Sequence, residues 1–348
     1  MKRQKIDNKK GEIIFRRKLY QQQIEGNKIF DDEFDAKEIE SLLKDRMEKT
    51  LDQMLSLKKE GILLSPYLEI GAERGQRSLV LENDMGLQGI SADISFEMLK
   101  SASHYQIVFG KEKIPLRLCC DANNLPIKSN SLPFVFCYET LHHFPDPTPA
   151  VNEAYRILSP GGHFFVEEEP YRQVLHLNLY RGEKIYSTKA KNQSKLKNLI
   201  DRFFKGQNCN EIDHGIIENH TNSIKKWVKA FSSFEDKIFT LKSVKSLEVD
   251  PSAFPLLKYF IAYLFGGSIS GICKKQGQVE FVNSSETDQS SLFICPDCWS
   301  SKKIESDLEE KNNCLVCTNC KSQYPIVDGV VLLFDNSTLK SLYPEYAL

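Results

Sequence analysis

Apolar residues recur at helical spacing between residues 36 and 60, and charged residues fill the positions between them. The apolar positions are Ile39, Leu42, Leu43, Met47, Leu51, Met54 and Leu55. This spacing places apolar side chains on one face of a helix. The stretch therefore predicts an amphipathic helix that covers one edge of a hydrophobic core.

Between Tyr67 and about Glu169 the pattern changes to short apolar runs that alternate with helical stretches. Two of these runs end at Asp93 and Asp121, and a predicted helix stops at residues 159–162 before a fifth run, HFFVEEEP. Alternation of this kind is typical of strand–helix units that form a parallel sheet. The sequence predicts an α/β fold with a doubly wound, mostly parallel sheet and helices on both faces.

Shifts in composition predict the domain organisation. Residues 1–60 are expected to form a helical extension, residues 61–273 the main domain, and residues 292–340 a small C-terminal module. The polar, Ser-rich stretch 274–291 is typical of a linker. Residues 171–222, rich in Lys, Asn and Gln, are interpreted as a substrate cap over the strand ends.

The charge balance favours no particular macromolecular partner. The chain has 46 Lys plus Arg and 47 Asp plus Glu, so no overall field attracts nucleic acid or anionic membranes. The N-terminal charges are not followed by an apolar run, which disfavours a secretory signal. Ten cysteines in such a chain favour metal binding in a reducing compartment, and we expect a cytoplasmic protein.

The most apolar segment is FPLLKYFIAYLF at residues 254–265. It is shorter than the roughly 20 residues that span a bilayer, and Pro255 and Lys258 interrupt it. We predict no transmembrane span and interpret the segment as a buried helix. The alternative is an apolar lid or membrane-facing helix that receives a hydrophobic substrate.

The first apolar run contains Glu69 and leads into a turn with Gly71, Ala72, Glu73 and Gly75. Glycine permits positive φ and lets the backbone approach a ligand closely. A dinucleotide-binding turn requires glycine at the third position, where this sequence has Glu73, and a carboxylate there would repel a pyrophosphate. The turn therefore favours a cofactor without phosphate over NAD.

Two carboxylates follow the next two strands. Asp93 stands where a carboxylate can accept hydrogen bonds from both hydroxyls of a ribose. Asp121, followed by Ala122 and Leu125-Pro126, could meet an adenine amino group and supply an apolar wall. A purely structural turn would explain the glycines alone but not these carboxylates in register with them. Together they indicate an adenosyl ligand.

The stretch from Tyr67 to about Glu169 resembles the class I, Rossmann-like S-adenosylmethionine-dependent methyltransferases, especially the group with quinone-biosynthesis and other small-molecule enzymes. The matching segments are YLEIGAERG, ISADISFEML, CCDANNLPIKSNSLPFVFCYETLHHFPDP and NEAYRILSPGGHFFVEE. Two positions depart from the family pattern. Glu73 stands where glycine is usual, and Leu132-Pro133 stand where an aspartate early in the fourth strand is usual.

The resemblance implies S-adenosylmethionine as cofactor and assigns its contacts. It places Glu69, Gly71, Ala72 and Gly75 at the methionine part, Asp93 with the adjacent Ile94 at the ribose, Asp121 and Ala122 at the adenine, and Tyr138 at the sulfonium. These nine residues are the predicted cofactor site.

Methyl transfer from a sulfonium requires alignment, exclusion of water and, where the acceptor loses a proton, a base. His142, His143 and Glu139 follow the fourth strand and are the candidate catalytic residues. The alternative is a structural role, with one imidazole packed under the cofactor turn. Farther along, Trp227, whose spacing to the next aromatics is helical, is expected in the core rather than in a nucleic-acid site.

Two C-x-x-C pairs near the C-terminus, Cys295 with Cys298 and Cys317 with Cys320, supply four thiolates suited to tetrahedral zinc. Four protein ligands leave no open position for water, so we predict a structural ion. Cys314 lies close enough in sequence to replace a ligand and is interpreted as a spare.

The segment YPIVDGVVLLF after the second pair resembles the small zinc-ribbon proteins that bind and activate RNA- and protein-methylating enzymes. In those partners the ribbon covers a sheet edge of the methyltransferase. The resemblance implies the same role within one chain, stabilisation or substrate presentation. It predicts that a chain without residues 291–348 aggregates.

These observations favour an enzyme that transfers a methyl group to an O, N or C atom of a small or lipid-like acceptor. An RNA or protein acceptor is the alternative that the ribbon favours. A second alternative, suggested by Glu73 and by Leu132-Pro133, is a cofactor-binding interaction module without turnover.

Overall fold

A computed structural model describes residues 8–25, 36–171, 222–243, 247–249, 260, 264, 267–278 and 289–347. Almost all of the predicted cap, most of the apolar segment 254–265 and most of the predicted linker lie outside these residues. None of the described helices is both long enough and apolar enough to cross a membrane.

The described strands form one sheet of 12 strands in the order β7-β6-β8-β5-β4-β1-β2-β3-β12-β11-β10-β9. The strands are β1 (Tyr67–Ile70), β2 (Gly89–Asp93), β3 (Leu116–Cys119), β4 (Leu132–Tyr138), β5 (Leu158–Tyr171), β6 (Asp236–Ser243), β7 (Leu247–Val249), β8 (Gly267–Lys274), β9 (Leu308–Lys311), β10 (Cys314–Cys317), β11 (Gln323–Val327) and β12 (Val330–Leu332).

The strands β3-β2-β1-β4-β5 are parallel, with Leu68 of β1 opposite Ile90 of β2 and Val135 of β4. Every residue of β1 and β4 is buried, as expected for parallel strands covered on both faces. The predicted doubly wound α/β fold is therefore confirmed.

Eight α-helices lie in the described residues. They are α1 (Asn8–Ile24), α2 (Ala36–Lys59), α3 (Gln76–Asp84), α4 (Phe96–Val108), α5 (Thr148–Ile157), α6 (Ile224–Ala230), α7 (Pro296–Lys302) and α8 (Asn336–Leu342). Helix α2 matches the predicted amphipathic helix. Ile39, Leu43, Met47 and Met54 are buried, whereas Leu42 and Leu55 are exposed.

The predicted stop at residues 159–162 is only partly right. Helix α5 ends at Ile157, but the SPGG residues 159–162 already belong to β5, whose pairing with β4 shifts register between Leu132 and Phe134. Gly162 allows β5 to approach the backbone of β4 closely at this point, because a Cβ at Gly162 would lie 2.9 Å from the carbonyl oxygen of Pro133. The residues that end the helix thus also begin the strand.

The antiparallel strands β6, β7 and β8 beyond β5 were not predicted. Gly271 of β8 faces Phe239 of β6, and a Cβ at this glycine would lie 2.4 Å from the phenylalanine ring. Strand β8 therefore lacks the alternating bulky side chains that reveal a strand in a sequence. Trp227 is buried, as predicted.

The C-terminal module extends the same sheet. Strand β12 pairs in parallel with β3, with Val331 opposite Leu118, and β11, β10 and β9 follow as antiparallel strands. Tyr343, after α8, is fully buried beside α4. The module therefore covers the edge of β3 with both backbone pairing and apolar contacts.

Candidate functional site

The predicted cofactor residues all lie at or just beyond the carboxyl ends of β1 to β4. Strand β1 pairs with β2 on one side and with β4 on the other, so the strand order reverses there. Ligands in open α/β sheets bind in the crevice outside such a switch point. We call the surface around Gly71, Asp93, Asp121 and Tyr138 the strand-end cleft.

The turn between β1 and α3 has three residues with positive φ. They are Gly71 at 72°, Glu73 at 51° and Gly75 at 67°. A Cβ at Gly71 would lie 2.3 Å from the side chain of Thr140, so the turn passes too close to the loop after β4 for any other residue. Glu73 adopts the left-handed conformation that glycine adopts at little cost, and such strain concentrates at functional sites.

The base of the turn is tied to the sheet. The amides of Gly71 and Ala72 both donate to the carbonyl oxygen of Ala92, at 2.9 Å. Glu69, within β1, accepts a hydrogen bond from Ser78 Oγ at 2.6 Å. Burial raises the pKa of Glu69 to about 7, so only about half of this carboxyl is ionised at neutral pH.

Asp93 is bonded to the turn it faces. Its Oδ2 accepts the amide of Glu73 at 2.8 Å, and its Oδ1 accepts the amide of Ser95 at 2.8 Å. Burial raises the pKa of Asp93 to about 6. Because a carboxylate oxygen can accept two hydrogen bonds, each oxygen retains one acceptor position for a ligand hydroxyl.

Asp121 lies at the end of the neighbouring strand. Its Oδ1 accepts the amide of Asn123 at 2.9 Å, and Ala122 begins the 3-10 turn that follows. Its Oδ2 pairs with Lys9 of α1. The predicted adenine carboxylate is therefore already in contact with a cation from the N-terminal helix.

One face of α1 covers the strand-end cleft. Lys9, Glu12, Ile13 and Arg16 recur at the spacing of one helix face, and Ile13 is buried in a cluster with Ala72. This helix belongs to the predicted extension, but its position over the cleft was not predicted. The signal in the sequence is the run of charged residues three and four positions apart.

Arginines surround Glu73. Arg16 of α1 and Arg46 of α2 approach its carboxylate at 3.5 and 3.2 Å, and Arg74 pairs with it as well. Together these cations hold the pKa of Glu73 well below its ordinary value despite burial. The expected repulsion of an anion by Glu73 is therefore largely compensated.

Strand β4 ends at Tyr138 and Glu139. The Tyr138 hydroxyl donates to Gln53 of α2 at 2.9 Å, and the guanidinium of Arg77 lies 4.3 Å from the tyrosine ring centroid. Glu139 has a φ of 48° and an exposed carboxylate that lies 3.7 Å from Arg46. Glu139 is thus the more accessible of the two side chains.

The loop after β4 is fixed by Glu169, which is fully buried. The amides of Thr140 and Leu141 donate to its Oε1 at 2.8 Å, and the amide of His142 donates to its Oε2 at 3.0 Å. A single carboxylate therefore positions three consecutive residues beside the cofactor turn. Sequence reasoning missed this role because Glu169 is one of three successive glutamates.

The two histidines differ in their surroundings. His142 is buried and its Nδ1 lies 3.0 Å from Glu169 Oε2. The rings of His142 and His143 are 4.3 Å apart, and His143 Nδ1 lies 3.9 Å from Glu12 Oε2 of α1. The contact of His142 with Glu169 favours the structural alternative for that residue.

A cavity of about 280 Å³ lies between α2 and the ends of β4 and β5. Arg46 and Lys49 of α2 line it together with Arg77 of α3. Glu168, whose φ is 61°, lines the opposite side and pairs with Lys49. None of these cations was predicted as a site residue. The sequence gives little signal for them, since charged residues on a helix are usually solvated.

The four predicted zinc ligands form one cluster. The ligand atoms of Cys295, Cys298, Cys317 and Cys320 lie within 4.8 Å of one another, and the first three residues are buried. Cys314 is not a member of this group. Four convergent thiols fit a closed tetrahedral zinc site.

The family profile described as "Methyltransferase domain" matches residues 68–166. Residues 68–166 are therefore similar to methyltransferase domains. A curated relative, the uncharacterized methyltransferase YcgJ of Bacillus subtilis strain 168, is 31% identical over 121 residues, which cover 33% of this chain. The chain spans only 47% of that relative's length. The predicted resemblance is confirmed at the level of the domain.

Three solved structures are similar to this chain at low sequence identity. The structure of YcgJ has a TM-score of 0.40 at 16% identity, covering 66% of this chain and all of that chain (100%). A chain of the complex between the Haloferax volcanii Trm112 methyltransferase activator and a methyltransferase has a TM-score of 0.40 at 17% identity, covering 68% of this chain and 93% of that chain. Phosphoethanolamine N-methyltransferase 2 of Haemonchus contortus, in complex with S-adenosyl-L-methionine, has a TM-score of 0.40 at 16% identity. The match covers 65% of this chain and 53% of that chain.

Proposed function

We propose that this protein is an S-adenosylmethionine-dependent methyltransferase that acts on a small acceptor. The observation that carries the proposal is Asp93, whose two oxygens are fixed by backbone amides and each retain one acceptor position. A ribose with two adjacent hydroxyls matches this pair of acceptors. The carboxylate lies directly beside the glycine turn of a methyltransferase domain.

The other cofactor contacts follow from the position of the ribose. The turn with Gly71, Ala72 and Gly75 would lie along the methionine part, with Glu69 beneath it. Ile94 and Ala122 would flank the adenosine, and Asp121 would accept from the adenine amino group. Tyr138 would then lie near the sulfonium, at the entrance to the cavity beside α2.

The cofactor supplies an activated methyl group, so the protein must align the acceptor and exclude water. Of the candidate catalytic residues, Glu139 is the one whose carboxylate lines the cavity. We assign it the base role for acceptors that lose a proton. His142, bonded to Glu169, would instead hold the loop against the cofactor turn.

The compensation of Glu73 supports cofactor binding and weakens one of the two sequence departures that suggested a module without turnover. Three arginines neutralise the carboxylate that departs from the family pattern. A cofactor carrying a carboxylate would therefore meet no uncompensated negative charge at the turn.

For the C-terminal module we propose a structural zinc ion and a role in stabilising the β3 edge. The pairing of β12 with β3 carries this proposal, because it satisfies backbone groups of β3 that would otherwise be exposed at an edge. An RNA or protein acceptor remains the alternative for which the ribbon is the supporting feature.

The proposed cofactor is tested by calorimetric titration of the full-length, zinc-loaded protein with S-adenosylmethionine and S-adenosylhomocysteine, with NADH as control. We expect micromolar dissociation constants for the first two and no binding of NADH. Binding of NADH alone would contradict the proposal. Release of S-adenosylhomocysteine in the presence of acceptor mixtures would separate an enzyme from a binding module.

A further inference from the structure

Three cationic side chains line the cavity beside α2, and they differ in how closely carboxylates pair with them. Arg46 approaches the carboxylates of Glu73 and Glu139, at 3.2 and 3.7 Å. Lys49 pairs with Glu168. Arg77 forms no such pair with any of the described residues, although it is the most buried of the three.

Arg77 is the second residue of α3 and its side chain reaches the cavity wall. It is 6% exposed, and its Nε is buried without a hydrogen-bond partner in the described part of the chain. Its guanidinium lies over the Tyr138 ring, 4.3 Å from the centroid, and its charge also acts on the buried carboxyls of Glu69 and Glu73 without an ion pair to either. The first turn of α3 adds the positive end of a helix dipole to the same region.

The nearby carboxyls have other partners. Glu69 is bonded to Ser78, and burial raises its pKa to about 7 although the charge of Arg77 acts against this, so the carboxyl is only about half ionised at neutral pH. Glu73 is surrounded by Arg16, Arg46 and Arg74. A buried cation without a direct ion pair is costly to a folded protein unless a ligand supplies the missing contact.

We propose that the cavity is an anion subsite in which Arg77 binds a carboxylate or phosphate group of the methyl acceptor. The inference rests on the proposed function, because it places the acceptor beside the cofactor's sulfonium. The cavity of about 280 Å³ is at the lower end of the range for small-molecule pockets, so it suits a small anionic acceptor. Leu42 and Tyr138 add apolar surface for the body of such a molecule.

The test uses the full-length protein saturated with S-adenosylhomocysteine and three probes of similar shape: benzoate, phenyl phosphate and uncharged benzamide. Calorimetry should show binding of the two anions and at least tenfold weaker binding of benzamide. Arg77→Met should weaken anion binding at least tenfold, and Arg77→Lys should restore part of it. Equal affinity of the wild type and Arg77→Met for benzoate would overturn the proposal.

Lys111→Met is the control, because it removes a cation that is paired with Asp84 and does not line the cavity. We expect less than a threefold change in benzoate affinity. The melting temperature of ligand-free Arg77→Met should equal or exceed that of the wild type, since an uncompensated buried charge is removed. This measurement separates a lost subsite from a lost fold.

The methionine carboxylate of the cofactor is the other anion that could reach Arg77. Titrations with S-adenosylhomocysteine and with 5′-methylthioadenosine, which lacks this carboxylate, distinguish the two. If Arg77→Met weakens the binding of S-adenosylhomocysteine tenfold and leaves the binding of 5′-methylthioadenosine unchanged, Arg77 binds the carboxylate of the cofactor. The proposed acceptor subsite is then wrong. Failure of the wild type to bind either nucleoside contradicts the proposed function instead, and the anion titrations are repeated without nucleoside to assess Arg77 separately.

Discussion

The four-cysteine cluster and the strand-end cleft assemble their ionisable groups in different ways. The cluster takes all its ligands from two short C-x-x-C segments of one module. The cleft combines carboxylates at the ends of parallel strands with cations from α1 and α2, far away in sequence. The first is a local arrangement that one ion can complete, and the second depends on the whole fold.

The two regions are nevertheless connected through Tyr343. Its hydroxyl donates to the carbonyl oxygen of Ile94 at 2.6 Å and accepts the amide of Phe96 at 3.0 Å. Arg17 of α1 lies over the same ring, 5.0 Å from its centroid. The loop that follows Asp93 is therefore held by the C-terminal module, and the N-terminal helix packs on the same tyrosine.

The largest effect is expected from removing residues 291–348. The deletion exposes the edge of β3 and the apolar residues of α4 that the module covers, so the remaining chain should aggregate. Size-exclusion chromatography with light scattering measures this. A monodisperse, folded truncation that binds the cofactor would show that the cleft is independent of the module.

Cys295→Ser should release the zinc that we propose for the cluster. Structural zinc contributes about 10 kcal/mol or more to small metal-dependent modules, so the module should unfold at a lower temperature than the rest of the chain. Metal content and thermal unfolding are the measurements. Cys314→Ser is the matched control and should retain one zinc per chain, because Cys314 is outside the cluster. Equal metal loss in both variants would contradict this ligand assignment.

Asp93→Ala should leave zinc in place and weaken the binding of S-adenosylmethionine about a hundredfold. Two hydrogen bonds to a charged acceptor are worth about 3 kcal/mol together, which is consistent with that factor. Asp84→Ala, which removes a carboxylate bonded to Lys111 on the surface, should change the affinity little. Calorimetric titration measures both, and an unchanged affinity of Asp93→Ala would remove the basis of the proposed site.

The pKa of Asp93 adds a pH dependence. Because burial raises it to about 6, the charged form that accepts both hydroxyls increases as pH rises from 5 to 7, and cofactor affinity should rise with it. The effect on folding has the opposite sign. A raised carboxyl pKa stabilises the folded state at low pH, and this contribution is lost as pH rises through about 6.

The four-cysteine cluster joins residues that are close together in the sequence, whereas the strand-end cleft joins residues that only the fold brings together. This difference also explains what the sequence could predict. The strand ends at Asp93 and Asp121 and the cysteine pairs follow from short patterns, and the structure places them as expected. The cover by α1 depends on residues such as Lys9 that interact with partners more than 100 positions away. Arg77 is unremarkable in the sequence because its burial depends on α2 and β4.

Tyr343→Phe tests the connection between the two regions. The variant keeps the ring but leaves the Phe96 amide without its partner, a loss of about 1 kcal/mol or more, and we expect about fivefold weaker cofactor binding with full zinc content. Tyr346→Phe is the control, because the Tyr346 ring packs on the same Phe96 without that hydrogen bond. A lower melting temperature with unchanged cofactor affinity would restrict Tyr343 to a structural role.

The smallest effect is expected for Lys9→Met, and its sign is the informative part. Lys9 pairs with Asp121, so an adenine amino group must compete with it for the same carboxylate. A partly exposed ion pair contributes up to about 1 kcal/mol, so its removal should tighten S-adenosylmethionine binding about threefold, and less at high salt. Lys10→Met, one position along on the exposed side of α1, should leave the affinity unchanged. Weaker binding by Lys9→Met would instead show that α1 holds Asp121 in place for the cofactor, and the N-terminal helix would then belong to the site rather than compete with its ligand.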